Sequence, residues 1–193
     1  PSYVDVRLTP AKPVCKLPDA ISVETGAAMM LKGLTAQYLL KKTLPAEGLQ
    51  SGDFVLFHAA AGGVGLIACQ WAKALGLQLI GTAGSDEKCA LTKTNGAAFA
   101  INYAREDFVA RVKEITAAKG VKVVYDSVGK DPFLESVNYL RTFGLLDRFG
   151  HTSAAVEPRK LDLLAVNVAQ LFSPRYLFVP LADTHGTPPV AAT

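Results

Sequence analysis

The sequence predicts an α/β protein built on a doubly wound parallel sheet of about six strands. Two observations carry this prediction. Short apolar runs rich in strand-forming residues alternate with longer segments in which apolar residues recur at helical spacing. In addition, the first run, Phe54–Phe57, is joined to a helical segment at 66–75 by a tight turn of small residues. Strand, short connection and helix form the repeating unit of such a sheet.

The composition indicates a globular chain. Half of the 193 residues are hydrophobic and 19% are charged, which is enough for one sizeable core and a fragment of a second. The net charge of +3 is too small to indicate nucleic-acid binding. No apolar run is long enough to span a bilayer, and no signal peptide opens the chain. Because it begins at Pro1, we expect a processed chain or part of a longer one.

The cysteines and histidines give little support to disulfides or a metal site. Cys15, Cys69 and Cys89 are far apart and form no C-x-x-C pair, so a reducing, cytoplasmic compartment fits. Only His58 among the three histidines lies near the glycine turn, and no two histidines are at helical spacing. We therefore expect no metal.

The turn after the first strand has the features of a dinucleotide phosphate site. Its spacing is Ala59-x-x-Gly62-x-x-Gly65 with an extra Gly63, which differs from the usual G-x-G-x-x-G. Glycines without a Cβ let an anion approach the backbone, and the first N–H groups of the helix point the same way. The predicted phosphate-binding residues are Ala60, Ala61, Gly62, Gly63 and Val64. The alternative is a turn whose glycines serve packing alone.

The segment HAAAGGVGLIACQWAKALG, residues 58–76, resembles the quinone oxidoreductase (zeta-crystallin-like) branch of the medium-chain dehydrogenase/reductase superfamily. It matches even at Gln70 and Trp71, which have no general phosphate-binding role. Further matches are LKGLT at 31–35, INY at 101–103 and VVYDSVG at 123–129. The resemblance covers most of the chain and fades after about Thr152. It implies the NADPH-binding Rossmann domain of a zinc-independent reductase.

The resemblance also implies a domain organisation. Residues 1–20 are expected to be an arm from a catalytic domain that is otherwise absent. Residues 21–180 are expected to form the NADPH-binding domain, with a helix from Val23 that links the two domains and is capped by Ser22. Residues 181–193, rich in Pro, Ala and Thr, are predicted to be a disordered tail.

The end of the second predicted strand, 78–83, favours NADPH over NADH. An NAD site usually has an acid there that accepts hydrogen bonds from the ribose 2′-OH. This chain instead has Gly84 for room, Ser85 with a hydroxyl and Lys88 with a cation, a set suited to a 2′-phosphate. The two acids in between, Asp86 and Glu87, either repel that phosphate or face solvent in the first helical turn.

The resemblance adds Tyr103, so that Gly84, Lys88 and Tyr103 would surround the 2′-phosphate. A solvated surface lysine and a tyrosine packed at a strand end are the alternatives for Lys88 and Tyr103. The resemblance also brings Thr35 towards the nicotinamide. The alternative for Thr35 is a hydroxyl bonded to its own helix.

The ends of the later strands complete the predicted site, because ligands gather beyond the carboxyl ends of parallel strands. These strands are expected at 121–125, 144–149 and 176–179, with helices at 105–118, 133–139 and 161–172. This rule predicts Val128 and Gly129 as cofactor-binding residues, and the resemblance adds Phe149, Gly150 and Phe178. Asp126 is predicted to bond the N–H groups of its turn rather than to act as an acid.

The resemblance implies a parent enzyme that transfers hydride from NADPH to a quinone-type acceptor. No catalytic residue is predicted in this chain, which by itself is expected to bind cofactor with little activity. A homodimer is expected through the last predicted strand, which begins at Tyr176 and ends at Val179. The segment 180–182 departs from the Thr-Arg-Pro expected of the family, which leaves the nicotinamide end least defined. The alternatives are an enoyl or activated-alkene reductase of the same superfamily and a non-enzymatic NADPH-binding module.

Overall fold

The computed structural model describes residues 4–12, 14–44, 48–128 and 138–150, and the backbone of 177–178. Within these ranges the chain forms four helices and six strands. In chain order they are α1 (Val23–Lys41), β1 (Phe54–Phe57), α2 (Gly63–Ala74), β2 (Gln78–Ala83), α3 (Asp86–Thr94), β3 (Phe99–Asn102), α4 (Phe108–Ile115), β4 (Val121–Asp126), β5 (Leu140–Arg148) and β6 (Leu177–Phe178).

The six strands form one parallel sheet in the order β3-β2-β1-β4-β5-β6. The chain winds outward from β1 through β2 and β3, and then outward on the other side through β4, β5 and β6. This confirms the predicted doubly wound fold. The reversal between β1 and β4 is the switch point at which such sheets bind ligands, and the glycine turn follows β1 directly.

The sheet is buried on both faces. Val55, Phe57 and Val123 pack on one side with residues of α1 and α2, whereas Leu56 and Val124 pack on the other with residues of α4. Alternate residues of each central strand therefore enter different cores. This is why these strands are continuous apolar runs rather than alternating polar and apolar ones.

The helix boundaries follow local capping. Ser22 Oγ accepts a hydrogen bond from Thr25 N at 3.2 Å, which confirms the predicted start of α1. α2 begins at Gly63, three residues before the predicted start at 66. α4 is shorter than the predicted 105–118, because Asp107 Oδ1 caps its first turn and both Ala117 and Ala118 have positive φ.

The later part of the chain differs most from prediction. β5 begins at Leu140 rather than at 144, because its pairing with β4 shifts register between Val121 and Val123. Gly144 lies within this irregularity, where an added Cβ would be 2.9 Å from Arg141 O. The helix predicted at 133–139 lies outside the described residues except for 138–139, which form a turn. The helix at 161–172 and the tail at 181–193 also lie outside them.

The described part of the predicted arm, 4–12 and 14–20, contains neither helix nor strand. Several of its apolar side chains are exposed, with Leu8 fully so and Val6 at 89%. Val23 and Leu31 of α1 are also mostly exposed. Among the helices of the described residues, none has the length and apolar character needed to cross a membrane.

A buried carboxyl group interrupts the core at Asp147 of β5. Its side chain is fully buried beneath α1, opposite Tyr125 in the β4–β5 register. The Thr43 hydroxyl lies beside it but donates to Leu39 O at 2.8 Å. Burial raises the pKa of Asp147 to about 6, and Thr43 offsets part of that rise. The cost of ionising this carboxyl group in the folded chain therefore grows as the pH rises from the unfolded pKa to the folded one, and it stays at its full size above that.

The sign of this cost can be tested with Asp147→Asn. Below pH ~4 both folded and unfolded chains hold the proton, so the cost is absent, and above pH ~6 it is fully present. Measured by urea unfolding, the variant is expected to gain about 2 kcal/mol relative to the parent chain between pH 4.5 and pH 7.5. Any pH-independent cost of the amide cancels in this difference.

The control is Asp19→Asn, which changes an exposed carboxyl group in the same way. It should show no such gain. A difference between parent and Asp147→Asn that is equal at both pH values would contradict the raised pKa.

Candidate functional site

The turn between β1 and α2 is fixed by bonds to the strands on either side of β1. His58 N donates to Tyr125 O of β4 at 3.0 Å, and Ala60 N donates to Thr82 O of β2 at 3.0 Å. Ala59 between them has φ of +52°, a conformation that costs a non-glycine residue energy. The backbone path of the turn is therefore determined by the sheet rather than by its own sequence alone.

His58 is a structural part of this turn. Its side chain is 3% exposed, and its Nδ1 lies 3.0 Å from Thr82 Oγ1. Its ring also packs edge-on against Phe108, with centroids 6.0 Å apart. Burial lowers the pKa of His58 to about 4, so the ring is neutral at pH 7. It therefore supplies no positive charge to a phosphate.

The N-terminus of α2 presents backbone N–H groups at the carboxyl edge of the sheet. Gly62 is the N-cap and has no side-chain cap, and its own N–H donates to Ala59 O at 2.9 Å. Within the described residues, the N–H groups of Ala61, Gly63, Val64 and Gly65 have no backbone acceptor. These four groups, at the positive end of the helix dipole, are the ones that can bind an anion.

Ala60 and Gly62 therefore contribute differently from what the sequence indicated. Ala60 N already donates to Thr82 O of β2 and Gly62 N to Ala59 O of the turn, so these residues shape the site rather than donate to a ligand. Gly65 is needed for close packing: an added Cβ would lie 2.6 Å from Ala60 Cα and from its carbonyl carbon, and closer still to its oxygen. The absence of a side chain at Gly65 therefore lets the helix approach its strand.

Lys32 of α1 is a site residue that sequence reasoning missed. A Cβ added to Gly63 would lie 2.8 Å from Lys32 Cδ and Cε and 3.2 Å from Nζ. The ammonium group thus lies over the N-terminus of α2, where the helix dipole is also positive. Lys32 belongs to the LKGLT segment that carries part of the resemblance. No local pattern, however, indicates that this segment contacts a turn some 30 residues later.

The end of β2 brings Gly84 and Tyr103 into contact. A Cβ added to Gly84 would lie 2.8 Å from Tyr103 Oη and 3.1 Å from Cζ. The room that Gly84 was expected to give a phosphate is therefore partly taken by the tyrosine hydroxyl. Tyr103 is still 56% exposed, and its backbone N donates to Ala83 O at 3.2 Å. The ring thus forms one wall at the end of β2, open to solvent on its outer face.

Lys88 and Ser85 lie in the helix that follows β2. Ser85 is the N-cap of α3 and its Oγ accepts from Lys88 N at 3.3 Å, so the hydroxyl hydrogen is the part that remains to be donated. Lys88 is exposed, one turn into the helix. Asp86 faces solvent in the first turn of α3, one of its two predicted alternatives, and also accepts hydrogen bonds from Asn102 and Arg105.

The turns after β4 and β5 are bonded to each other. Val128 N donates to Asp126 Oδ1 at 2.8 Å, which confirms the predicted structural role of Asp126, and Phe149 N donates to Asp126 O at 2.9 Å. A Cβ added to Gly150 would be 3.0 Å from Ser127 O, so the backbone at Gly150 lies close to the turn after β4.

The structure says less about the remaining predicted residues. Gly129 lies outside the described residues. The backbone of Phe178 pairs with Arg148, next to the predicted edge of the site. Thr35 Oγ1 donates to Leu31 O at 2.8 Å, the helix bond that was its alternative interpretation, and its lone pairs remain available to accept.

Comparisons with known proteins agree with this geometry. Residues 63–175 match the family model described as zinc-binding dehydrogenase. The chain is 46% identical to a quinone oxidoreductase from Pseudomonas aeruginosa, over 95% of this chain and 55% of that protein. It is 43% identical to a 2-haloacrylate reductase from Burkholderia, over 81% of this chain and 47% of that protein.

A crystal structure of Escherichia coli quinone oxidoreductase complexed with NADPH superimposes with a TM-score of 0.74 at 52% identity. The match covers 79% of this chain and 46% of that one. This chain spans about half the length of the curated relatives it matches.

A doubly wound sheet with a glycine turn at its switch point is the nucleotide-binding architecture of dehydrogenases and reductases. The chain belongs to the zinc-binding dehydrogenase family of the medium-chain dehydrogenase/reductase superfamily. Its homologues at about half identity are quinone oxidoreductases, and the resemblance found in the sequence is confirmed.

The family description names zinc, and the residues seen here do not fit it. Across the part of the chain that the structure describes, no three His, Cys, Asp or Glu side chains are grouped as metal ligands. Cys69 is buried in the core, where burial raises the pKa of its thiol to about 12. The described residues therefore provide no ligand set for a zinc ion.

The close packing of α2 on its strand can be tested at two neighbouring glycines. Gly65→Ala places a methyl group against the Ala60 backbone, which cannot move without breaking the bond to Thr82. We expect a loss of about 2–3 kcal/mol in the free energy of unfolding. In Gly63→Ala, the matched control, the methyl group meets only the flexible Lys32 side chain, so the loss should be small. Equal losses in the two variants would contradict this packing.

Proposed function

We propose that this chain is the NADPH-binding domain of a quinone oxidoreductase that transfers hydride to a quinone-type acceptor. The observation that carries the proposal is the end of β2, where Tyr103 packs over Gly84 with Lys88 one helical turn away. A phenol, a primary ammonium and a glycine suit a phosphate better than an uncharged ribose hydroxyl. The related E. coli enzyme, whose crystal structure contains NADPH, supports the choice of cofactor.

The pyrophosphate would lie against the N-terminus of α2. Ala61, Gly63 and Val64 offer N–H groups there, and Ala60 and Gly62 shape the turn that exposes them. Lys32 adds a mobile positive charge above Gly63. Two positive features without a counter-charge repel each other, so their proximity favours an anion between them. A bound anion would explain why the Lys32 ammonium group lies at the positive end of the α2 dipole.

The adenosine end would lie beyond β2 and β3. Lys88 Nζ and the Tyr103 hydroxyl would donate to the 2′-phosphate, and Ser85 would add its hydroxyl hydrogen. The backbone of Gly84 would form another side of this site, because glycine has no side chain that could obstruct the phosphate. All four residues follow neighbouring parallel strands, so they share one end of the carboxyl edge.

The nicotinamide end would lie towards β4, β5 and β6, on the other side of the switch point. The predicted residues there are Thr35, Val128, Gly129, Phe149, Gly150 and Phe178. NADPH, when bound, supplies the hydride; reduction of a quinone to a hydroquinone also takes up one proton. The role of this chain is to orient the ring by backbone contacts and to shield one of its faces from water.

The acceptor pocket would be completed by the part of the relatives that this chain does not span. The exposed apolar side chains of the arm and of α1, including Val6, Leu8 and Leu31, are then the surface that meets that catalytic domain. We also propose a cytoplasmic, zinc-independent homodimer that extends the sheet through β6. By itself the chain would bind NADPH but have little reductase activity.

A second candidate is an activated-alkene reductase. The 43% identity to a 2-haloacrylate reductase favours it, because that substrate carries a polarised carbon–carbon double bond. The same NADPH site would serve both reactions. Steady-state assays of the full-length protein with a quinone and with a 2-haloacrylate would separate them, since the preferred acceptor should have the higher kcat/KM.

The phosphate site is tested by titration with NADPH and with NADH. The unaltered chain should bind NADPH at least tenfold more tightly, and Lys88→Ala should lose about tenfold for NADPH and little for NADH. Lys93→Ala is the control, since it removes the same charge from the last turn of the same helix. Equal loss for both cofactors in Lys88→Ala would remove Lys88 from the 2′-phosphate site.

The role proposed for Lys32 gives a different pattern. NADPH and NADH share the pyrophosphate, so Lys32→Met should weaken both by the same factor, about three- to tenfold for one charge-assisted contact. Lys41→Met removes an exposed lysine from the last turn of the same helix and should weaken neither. A selective loss of NADPH, or no loss, would show that Lys32 does not bind the pyrophosphate.

A further inference from the structure

We infer that Arg105 and Asn102 are positioning residues for cofactor selectivity, which hold and neutralise the Asp86 carboxylate beside the 2′-phosphate site. The inference rests on the proposed function, because it concerns the same cofactor. It concerns residues that need not touch the cofactor themselves. Their effect is to keep an acid at the end of β2 from favouring NADH.

Asp86 is the acid that follows β2 most closely. It is the first residue of α3, directly after Ser85 and two residues before Lys88. An acid in this region of a dinucleotide site accepts hydrogen bonds from the ribose of NADH. The same negative charge repels a 2′-phosphate. A chain that prefers NADPH therefore needs a way to occupy this carboxylate.

Both oxygens of Asp86 are occupied. Asn102 Nδ2 donates to Oδ1 at 2.6 Å, and Arg105 donates through a terminal guanidinium nitrogen to Oδ2 at 2.6 Å. The second contact is also an ion pair, so the carboxylate has a cation of its own. With one hydrogen bond to each oxygen and an arginine paired to it, Asp86 has less acceptor capacity left for a ribose hydroxyl, and its charge is compensated.

Asn102 is itself fixed by the turn that follows β3. Its side chain belongs to a residue that is 5% exposed, and its Oδ1 accepts from Ala104 N at 3.0 Å. That bond requires the oxygen to face Ala104, so the amide nitrogen must face Asp86. The backbone N of Asn102 also donates to Glu106 Oε1 at 2.8 Å. The donor that holds Asp86 is therefore oriented in advance.

The same turn carries the tyrosine of the phosphate site. Tyr103 lies between Asn102 and Arg105 in sequence, and its ring packs over Gly84. Residues 102–106 thus do two things at once: they present a phosphate donor and they neutralise the nearest acid. This coupling explains why an Asp directly after the N-cap of α3 is compatible with an NADPH site.

The expected change in NADPH affinity follows from the solvent exposure of the Arg105 and Asp86 side chains. The Arg105 and Asp86 side chains are 74% and 65% exposed, so water and salt screen their attraction. Loss of Arg105 should then change NADPH affinity by about three- to fivefold, the upper range for an exposed pair. Asn102 is buried, and its removal risks unfolding the turn. The exposed Arg105 is therefore the residue to vary.

The test is a double-mutant cycle on the 193-residue chain with Arg105→Met, Asp86→Asn and both together, titrated with NADPH and NADH. Adenosine 2′,5′-bisphosphate and 5′-AMP serve as probes of the adenosine end alone, since they differ only in the 2′-phosphate. Arg105→Met should weaken NADPH and the bisphosphate about three- to fivefold and leave NADH and AMP unchanged. In the Asp86→Asn background the same substitution should have no effect.

Two controls define the cause. Arg105→Lys keeps the charge and should restore most of the selectivity. Arg141→Met removes an arginine from the ion pair with Asp53, at the opposite end of the sheet, and should change nothing. Thermal unfolding of each variant would show that a changed cofactor ratio does not reflect a general loss of structure.

Three outcomes would overturn the inference, and they differ from failure of the proposed function. A loss in Arg105→Met that persists in the Asp86→Asn background means that Arg105 binds the phosphate directly. Weaker NADH binding in Asp86→Asn means that Asp86 already holds the ribose. An unchanged NADPH to NADH ratio in Arg105→Met means that the pair is irrelevant. If the unaltered chain shows no preference for NADPH, the proposed function fails and the inference fails with it.

Discussion

The structure depends on the close approach of α2 to β1 at Gly65 and Ala60. A single added carbon at Gly65 would collide with the Ala60 backbone, and Ala60 is itself bonded to β2. This contact fixes the direction in which the helix leaves the sheet. It therefore aims the first N–H groups of α2 at the switch point, where β1 lies between β2 and β4. The proposed phosphate site would be a consequence of how the helix packs.

Much of the fold could be predicted from the sequence because the sheet is buried on both sides. The continuous apolar run at β1 indicates a strand buried on both faces, and both β1 and β2 have the predicted limits. The first residue of β5 was harder to predict, because the strand begins with an irregular register that no periodicity in the sequence reveals. The length of α4 was also overestimated from the sequence. Its apolar spacing continues past Ile115, but positive φ values at Ala117 and Ala118 end the helix.

The site was predictable where one segment carries both the motif and its context. The glycine turn and the end of β2 are of this kind, and Gly84 does meet Tyr103. Contacts between distant segments were not predictable. Lys32 reaches Gly63 from another helix, and Asp86 is held by a turn 16 to 19 residues later. Sequence reasoning could assign these side chains a charge but not a partner, and the partner decides what the charge does.

Two buried groups give the molecule opposite responses to acid. Between pH 6.5 and about 4 the unfolded chain takes up a proton at His58 that the folded chain refuses. Between about 6 and 4 the folded chain instead takes up a proton at Asp147 before the unfolded one does. The two differences in bound protons have opposite signs, so they nearly cancel over most of this range. A neutral histidine at one strand end and a buried acid at another thus together add little net pH dependence to the free energy of unfolding between about pH 6 and pH 4.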